Sequence, residues 1–219
     1  MSSNLVRRRL AVPAVLLLAA LAWPAPARAA QPSPELARQR QEFLRNFQRI
    51  GLNTAPEDAA LLQLMVECAG VKRGVEVGTA TGYGALHMGL GFERNGGELI
   101  TIDIDPQMVE AAVKNVREMQ LEETVKVIEG DALKVLAELT GTFDFAFLDA
   151  VKSDYLKYFR LIEPKLARGA VIIADNVIQS ADAMRDFLDA IGTDPKYHMV
   201  IIRASDLKRD GMAVIYKRE

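Results

Sequence analysis

Val75-Glu76-Val77-Gly78-Thr79-Ala80-Thr81-Gly82-Tyr83-Gly84 reads as a short apolar strand that runs into a glycine loop and opens a helix. Such a loop lets backbone come close to a ligand and points helix N–H groups at it. The spacing discriminates between ligands. A dinucleotide loop reads GxGxxG, whereas this one reads GxxxG behind an acid, Glu76. A carboxylate there repels a pyrophosphate and suits a ligand that carries an ammonium group. A P-loop is excluded, because no Gly-Lys-Ser/Thr follows.

Outward from this loop the chain alternates. Apolar strands are expected at 74–77, 99–102, 125–128, 143–148 and 170–174. Helical patterns at 83–91, 106–119, 132–139, 154–166 and 181–191 separate them. This rhythm predicts an α/β domain, a Rossmann-like, doubly wound and mostly parallel sheet with helices on both faces. Two more strands, 199–203 and 212–216, bring the count to seven. The loop between them is too short for a helical crossover, which predicts an antiparallel final strand. Upstream, helices are expected over 35–50 and from Pro56, where Glu57 and Asp58 suit a first turn. The helix over 35–50 could pack on the domain or on a partner, so a homodimer is left open.

Residues 1–29 have a different character. Arg7, Arg8 and Arg9 precede an apolar run from Leu10 to Trp23, and small residues follow at Ala27 and Ala29. This is the layout of an export signal, and the arginines fit a twin-arginine type. The run is too short for a stable membrane span. The domain is then 30–219, with 23 basic and 29 acidic residues and no tryptophan. That balance gives no basic footprint for nucleic acid. A single cysteine, Cys68, excludes an intrachain disulfide; its helical setting suggests a small buried residue. Two distant histidines, His87 and His198, make a zinc site unlikely on composition.

Several strands end in chemistry. The second ends in Asp103, placed for ribose hydroxyls, while Asp105 before Pro106 reads as a helix cap. The third ends in Glu129-Gly130-Asp131-Ala132, where Asp131 reads equally as an adenine contact or a cap. The fourth ends in Asp149-Ala150-Val151-Lys152 and the fifth in Asp175-Asn176. In an open parallel sheet these ends share one crevice. Asp149, Asp175 and Asn176 would offer hard oxygen ligands of the kind that suits Mg²⁺. Taken singly, each also reads as a cap or turn residue.

ExGxxxG, the acid on strand two and Gly-Asp-Ala after strand three resemble class I S-adenosylmethionine-dependent methyltransferases. That donor has an amino-acid end, a ribose and an adenine, and no phosphate. VEVGTATGYGAL, ITIDIDP, EGDA, FLDAVKSDYL, IIADNVI and Asp210-Gly211 together resemble the metal-dependent O-methyltransferases of the catechol and caffeoyl-CoA type. The resemblance implies a donor pocket of Asn53, Thr54, Glu76, Gly78, Thr79, Gly84, Asp103, Asp131, Ala132 and Asp149. It implies a divalent cation, Mg²⁺ above all, on Asp149, Asp175 and Asn176, with Lys152 as general base. The acceptor would be a small, aromatic vicinal diol. Three departures bear on the acceptor and the donor's amino-acid end. Val151 stands where relatives carry an acid or a tryptophan, any aromatic gate must be Phe or Tyr or be absent, and Gly84 replaces a serine. Export also leaves a second reading, a donor-binding protein without catalysis, because S-adenosylmethionine is made in the cytosol.

Overall fold

Seven strands form one sheet in the order β3-β2-β1-β4-β5-β7-β6 in the computed structural model, which describes residues 32–206 and 208–219. The expected export signal, residues 1–29, lies outside the described residues. The strands are β1 (Arg73–Val77), β2 (Glu98–Asp103), β3 (Val125–Glu129), β4 (Phe143–Leu148), β5 (Leu166–Ala174), β6 (Tyr197–Ile202) and β7 (Met212–Lys217). The first five are parallel neighbours, and β7 inserts antiparallel between β5 and β6. The expected antiparallel final strand is therefore present, and the predicted sheet is seen whole.

The helices are α1 (Pro34–Arg45), α2 (Pro56–Ala69), α3 (Tyr83–Asn95), α4 (Pro106–Glu118), α5 (Ala132–Glu138), α6 (Tyr155–Ile162) and α7 (Arg185–Thr193). They cover both faces of the sheet. Along β4 the side chains divide by the two-residue period of a strand: Ala146 and Leu148 join the core under α6 and α7, and Phe145 and Phe147 the core under α2 and α3. Burial on both faces explains why these strands read as continuous apolar runs. The strand order reverses between β1 and β4. Open sheets of this kind bind ligands beyond the carboxyl ends of the strands at such a reversal.

Several features differ from the sequence expectation. The helix expected over 154–166 ends at Ile162, and β5 begins at Leu166, four residues early. Helix α1 stops at Arg45, five residues early, and Asn46 caps it with its N–H on the Glu42 carbonyl. The chain then turns so that Phe47 packs on Tyr83 and Asn53 reaches the glycine loop; the Asn53 carboxamide oxygen takes the Ile50 N–H at 2.9 Å. Helix α3 continues past Gly91 to Asn95. Gly91 is a packing glycine, because a Cβ there would lie 2.9 Å from Val66 Cγ1 of α2; Gly96, at φ 70°, ends the helix instead. Cys68 is exposed, against expectation, because the buried face of α2 runs through Asp58, Ala59, Leu62 and Val66.

The first helix packs on its own domain. Arg40 is buried, donates to the carbonyls of Met119 and Gln120, and pairs bidentately with Glu93 of α3 at 2.7 and 3.0 Å. A buried guanidinium with all these partners ties α1 to the carboxyl end of α4.

Candidate active site

At the reversal of strand order lies a cavity of about 630 Å³, lined by residues from the ends of the five parallel strands. Gly78 and Ala80 come from the loop after β1, and Asp103 and Ile104 from the end of β2. Gly130, Asp131 and Ala132 follow β3, and Asp149 through Lys152 follow β4. Asn53, Asn176 and Lys208 complete the wall.

The glycine loop is shaped by a close crossing. Gly78 has φ 101°, and a Cβ on it would run into the Asp149 carbonyl. Only glycine satisfies both conditions. Gly78→Ala is therefore expected to destabilise the fold by about 1–3 kcal/mol and to weaken S-adenosylhomocysteine binding, read by thermal melts with and without ligand. The loop is then pinned by Asp103, whose Oδ2 accepts the Ala80 N–H at 2.7 Å while Oδ1 accepts the Asp105 N–H at 3.0 Å. Asp105 caps α4 through the Gln107 N–H, as expected. Asp131 is the cap the sequence left open, its Oδ1 accepting the Leu133 N–H at the start of α5, and the residue also lines the cavity.

Beneath the loop sits a second layer. Glu76 is 1% exposed and accepts a hydrogen bond from Thr101 Oγ1 at 2.5 Å; Thr101 in turn meets Thr79 Oγ1. Burial above all, with the Asp149 and Asp103 charges adding, pushes the Glu76 carboxyl up to about 8. Four residues expected on the donor pocket, Thr54, Glu76, Thr79 and Gly84, thus stand behind its wall. They form a unit of their own. A Cβ on Gly84 would lie 2.8 Å from Thr54 Oγ1 and 3.2 Å from Glu76 Oε1. The serine that relatives carry at Gly84 has no room here, because the Thr54 hydroxyl already occupies that side.

The chemical groups gather at the β4 and β5 ends. Lys152 Nζ donates to Asp149 Oδ1 at 2.8 Å and to the Tyr155 hydroxyl at 2.9 Å. The Tyr155 hydroxyl donates on to the Asp175 carbonyl at 3.2 Å. Tyr155 is fully buried, and that burial raises its pKa well above the ordinary phenol value. Asp175 is buried beside Asn176, whose N–H bonds its Oδ1 at 2.7 Å; burial and the Asp149 charge push Asp175 up to about 6. Asn176 sits at φ 63° and donates its side-chain amide to Asp210 Oδ2, which turns its carbonyl oxygen away from Asp210. Asp149 and Asn176 line the cavity, whereas Asp175 lies behind its wall with both oxygens bonded; all three are oxygen donors of the kind a hard divalent cation takes. Among the described residues, His, Cys, Asp and Glu alone form no three-ligand cluster, so the amide oxygen of Asn176 is needed to complete the set.

The model of the O-methyltransferase family matches residues 28–213. The chain belongs to this family. It is 32% identical over 148 residues to the catechol O-methyltransferase of Niastella koreensis, covering 66% of this chain and 65% of that one. The match thus spans just under two thirds of that relative. With caffeoyl-CoA O-methyltransferase 2 of Populus trichocarpa the identity is 25% over 197 residues, 79% of each chain. Among solved structures, Rv0187 from MTB, with cofactor bound, superposes with a TM-score of 0.73 at 26% identity, covering 84% of this chain and 90% of that one. A Bacillus cereus O-methyltransferase in complex with SAH shares the fold, with a TM-score of 0.72 at 24% identity over 85% and 92% of the two chains.

In this member of the O-methyltransferase family two residues at the site escaped the sequence reading. Asp58, read as a first-turn acid of α2, is buried 3.9 Å from Lys208 Nζ. Lys208, in the loop between β6 and β7, forms an ion pair with Asp175 Oδ2. Nothing in the local sequence marks either, because the sheet topology brings them together from opposite ends of the chain.

Proposed function

We propose that this protein moves a methyl group from S-adenosylmethionine to a hydroxyl of a small aromatic vicinal diol, with a divalent cation on Asp149, Asp175 and Asn176. The observation that carries this reading is the single cavity in which Lys152, Asp149 and Asn176 stand beside Gly78, Asp103 and Asp131. Its volume suits a small-molecule site. A cation held there lowers the pKa of a hydroxyl it binds and disfavours a neighbouring ammonium.

The protein's own groups supply the rest. Lys152, as the amine, takes the hydroxyl proton on Nζ, held in place by Asp149 and by the Tyr155 hydroxyl. The acceptor oxygen then bonds to the donor's methyl carbon as the carbon–sulfur bond breaks, and the sulfonium leaves as a neutral thioether. Holding the two reactants in line contributes about 7–11 kcal/mol in well-oriented systems.

The rim supports an apolar acceptor. Leu52, Ile104 and Val151 are 70%, 71% and 56% exposed, and all three line the cavity mouth. Tyr158, nearly buried, is the aromatic side chain on the cavity wall among the described residues. An aliphatic rim takes the place of an aromatic gate and favours the flat face of an aromatic ring through burial of apolar area.

The test is transfer of labelled methyl from S-adenosylmethionine to a panel of catechols and caffeoyl-type diols, with Mg²⁺ and with EDTA. Metal-dependent transfer is expected. Binding of S-adenosylhomocysteine without transfer to any diol would leave the donor site and remove the acceptor class. In the same reading residues 1–29 export the chain, which protease accessibility on intact cells would test.

A further inference from the structure

Lys208 stands where a divalent ion and Asp175 would meet. Its Nζ pairs with Asp175 Oδ2, lies 3.9 Å from Asp58 Oδ2, and is three-quarters buried on the cavity wall. The Ser205 backbone N–H also bonds Asp58, so the loop between β6 and β7 is seated on the same acids. Asp175 has its other oxygen on the Asn176 N–H. The Lys208 ammonium therefore holds the Asp175 oxygen that a metal ion would need, and it is a full positive charge in that place.

Lys152 neutralises Asp149, and Lys208 neutralises Asp175. Both carboxylates are satisfied by the protein's own cations. A bound divalent ion would then share Asp175 with an ammonium, which is a strong like-charge repulsion in a partly buried site. We propose that Lys208 is a tethered cation that competes with the divalent ion for Asp175, so that metal binding requires the Lys208 side chain to leave. This rests on the metal-dependent reading of the site and adds to it a built-in limit on metal affinity. Asp58 is the acid that can keep the displaced ammonium company, since it already lies beside it.

The test is direct titration of the purified chain with Mn²⁺ by calorimetry and by electron paramagnetic resonance, without donor or acceptor. Lys208→Met is expected to bind Mn²⁺ roughly 10- to 100-fold more tightly than the unaltered chain, the loss of one charge-assisted hydrogen bond in competition. Lys208→Arg keeps the cation and is expected to stay close to the unaltered chain. Lys208→Gln removes the charge with a shorter, polar side chain and serves if the methionine variant folds poorly. In EDTA the Lys208→Met protein is expected to melt lower than the unaltered chain, and to gain more from Mg²⁺. Equal or weaker Mn²⁺ binding by both uncharged variants, while the unaltered chain binds, would overturn the competition and leave the metal site standing. Mn²⁺ binding by none of these proteins would overturn both.

Discussion

Lys152→Met is expected to lower methyl transfer by about 10²- to 10⁴-fold, the usual contribution of a positioned general base, while S-adenosylhomocysteine binds as before. The expectation follows from where the amine lies. Its Nζ lies at the β4 end of the cavity, bonded to Asp149 and to Tyr155, and the glycine loop is pinned separately by Asp103. A second substitution separates base from charge. Lys152→Arg keeps the positive charge and the ion pair with Asp149, but a guanidinium cannot give up its proton in a protein. If Lys152 is the base, arginine rescues folding and donor binding but not transfer. If it only neutralises Asp149, arginine restores much of the rate. Tyr155→Phe is the intermediate case, since it removes one of the two groups that hold Nζ. The measurement is kcat with the best diol of the panel, alongside donor affinity by calorimetry for each variant.

The parts of this site that could be read in the sequence are those that sit at strand ends. An apolar run stopped by Asp, Glu or Asn marks where a strand leaves the core, and the parallel topology then carries those stops to one edge. Asp103, Asp131, Asp149 and Asn176 reach the cavity in this way. Depth was not legible. Glu76, near the end of β1, and Thr79, in the loop after it, flank Gly78, yet their side chains turn inward and bond to Thr101 of the neighbouring β2. Gly84 reads locally as a lost hydroxyl, and only the fold places Thr54 Oγ1, thirty positions earlier in the chain, 2.8 Å from where a Cβ on it would stand. Lys208 was invisible for the same reason at larger scale. It lies 33 residues from Asp175 in a loop with no motif, and only the insertion of β7 beside β5 brings that loop over the site. Helix length failed where tertiary contacts decide it: nothing local stops α1 at Arg45, but Phe47 has a partner in Tyr83.

Glu76→Gln is expected to remove a pH dependence from both stability and donor binding. Burial raises the Glu76 carboxyl from its ordinary 4.5 to about 8. Between those values the folded protein holds a proton that the unfolded chain has released, so the unaltered chain loses stability as pH rises, by about 1.4 kcal/mol per pH unit. Glutamine is neutral at every pH and has the same shape. From pH 5 to 8 its advantage should grow by a few kcal/mol, on the order of 10 °C in melting temperature for a domain of this size. Donor binding should go the other way. Glu76 Oε1 lies behind the loop, packed against Gly84 and Thr54, and from there only the ionised carboxylate attracts the ammonium of a donor seated on the loop. Below pH 8 each binding event must then expel a proton. Affinity for S-adenosylhomocysteine should rise between pH 6 and 8, by up to about tenfold per unit, and calorimetry in buffers of different ionisation enthalpy should register the proton released. In Glu76→Gln the affinity should be flat with pH and, at pH 8, on the order of 30-fold or more weaker, the cost of removing one partner of a buried charge pair. A variant that gains stability at high pH and keeps both affinity and its pH profile would make Glu76 a strained support of the loop, with the donor's ammonium held by the backbone above it.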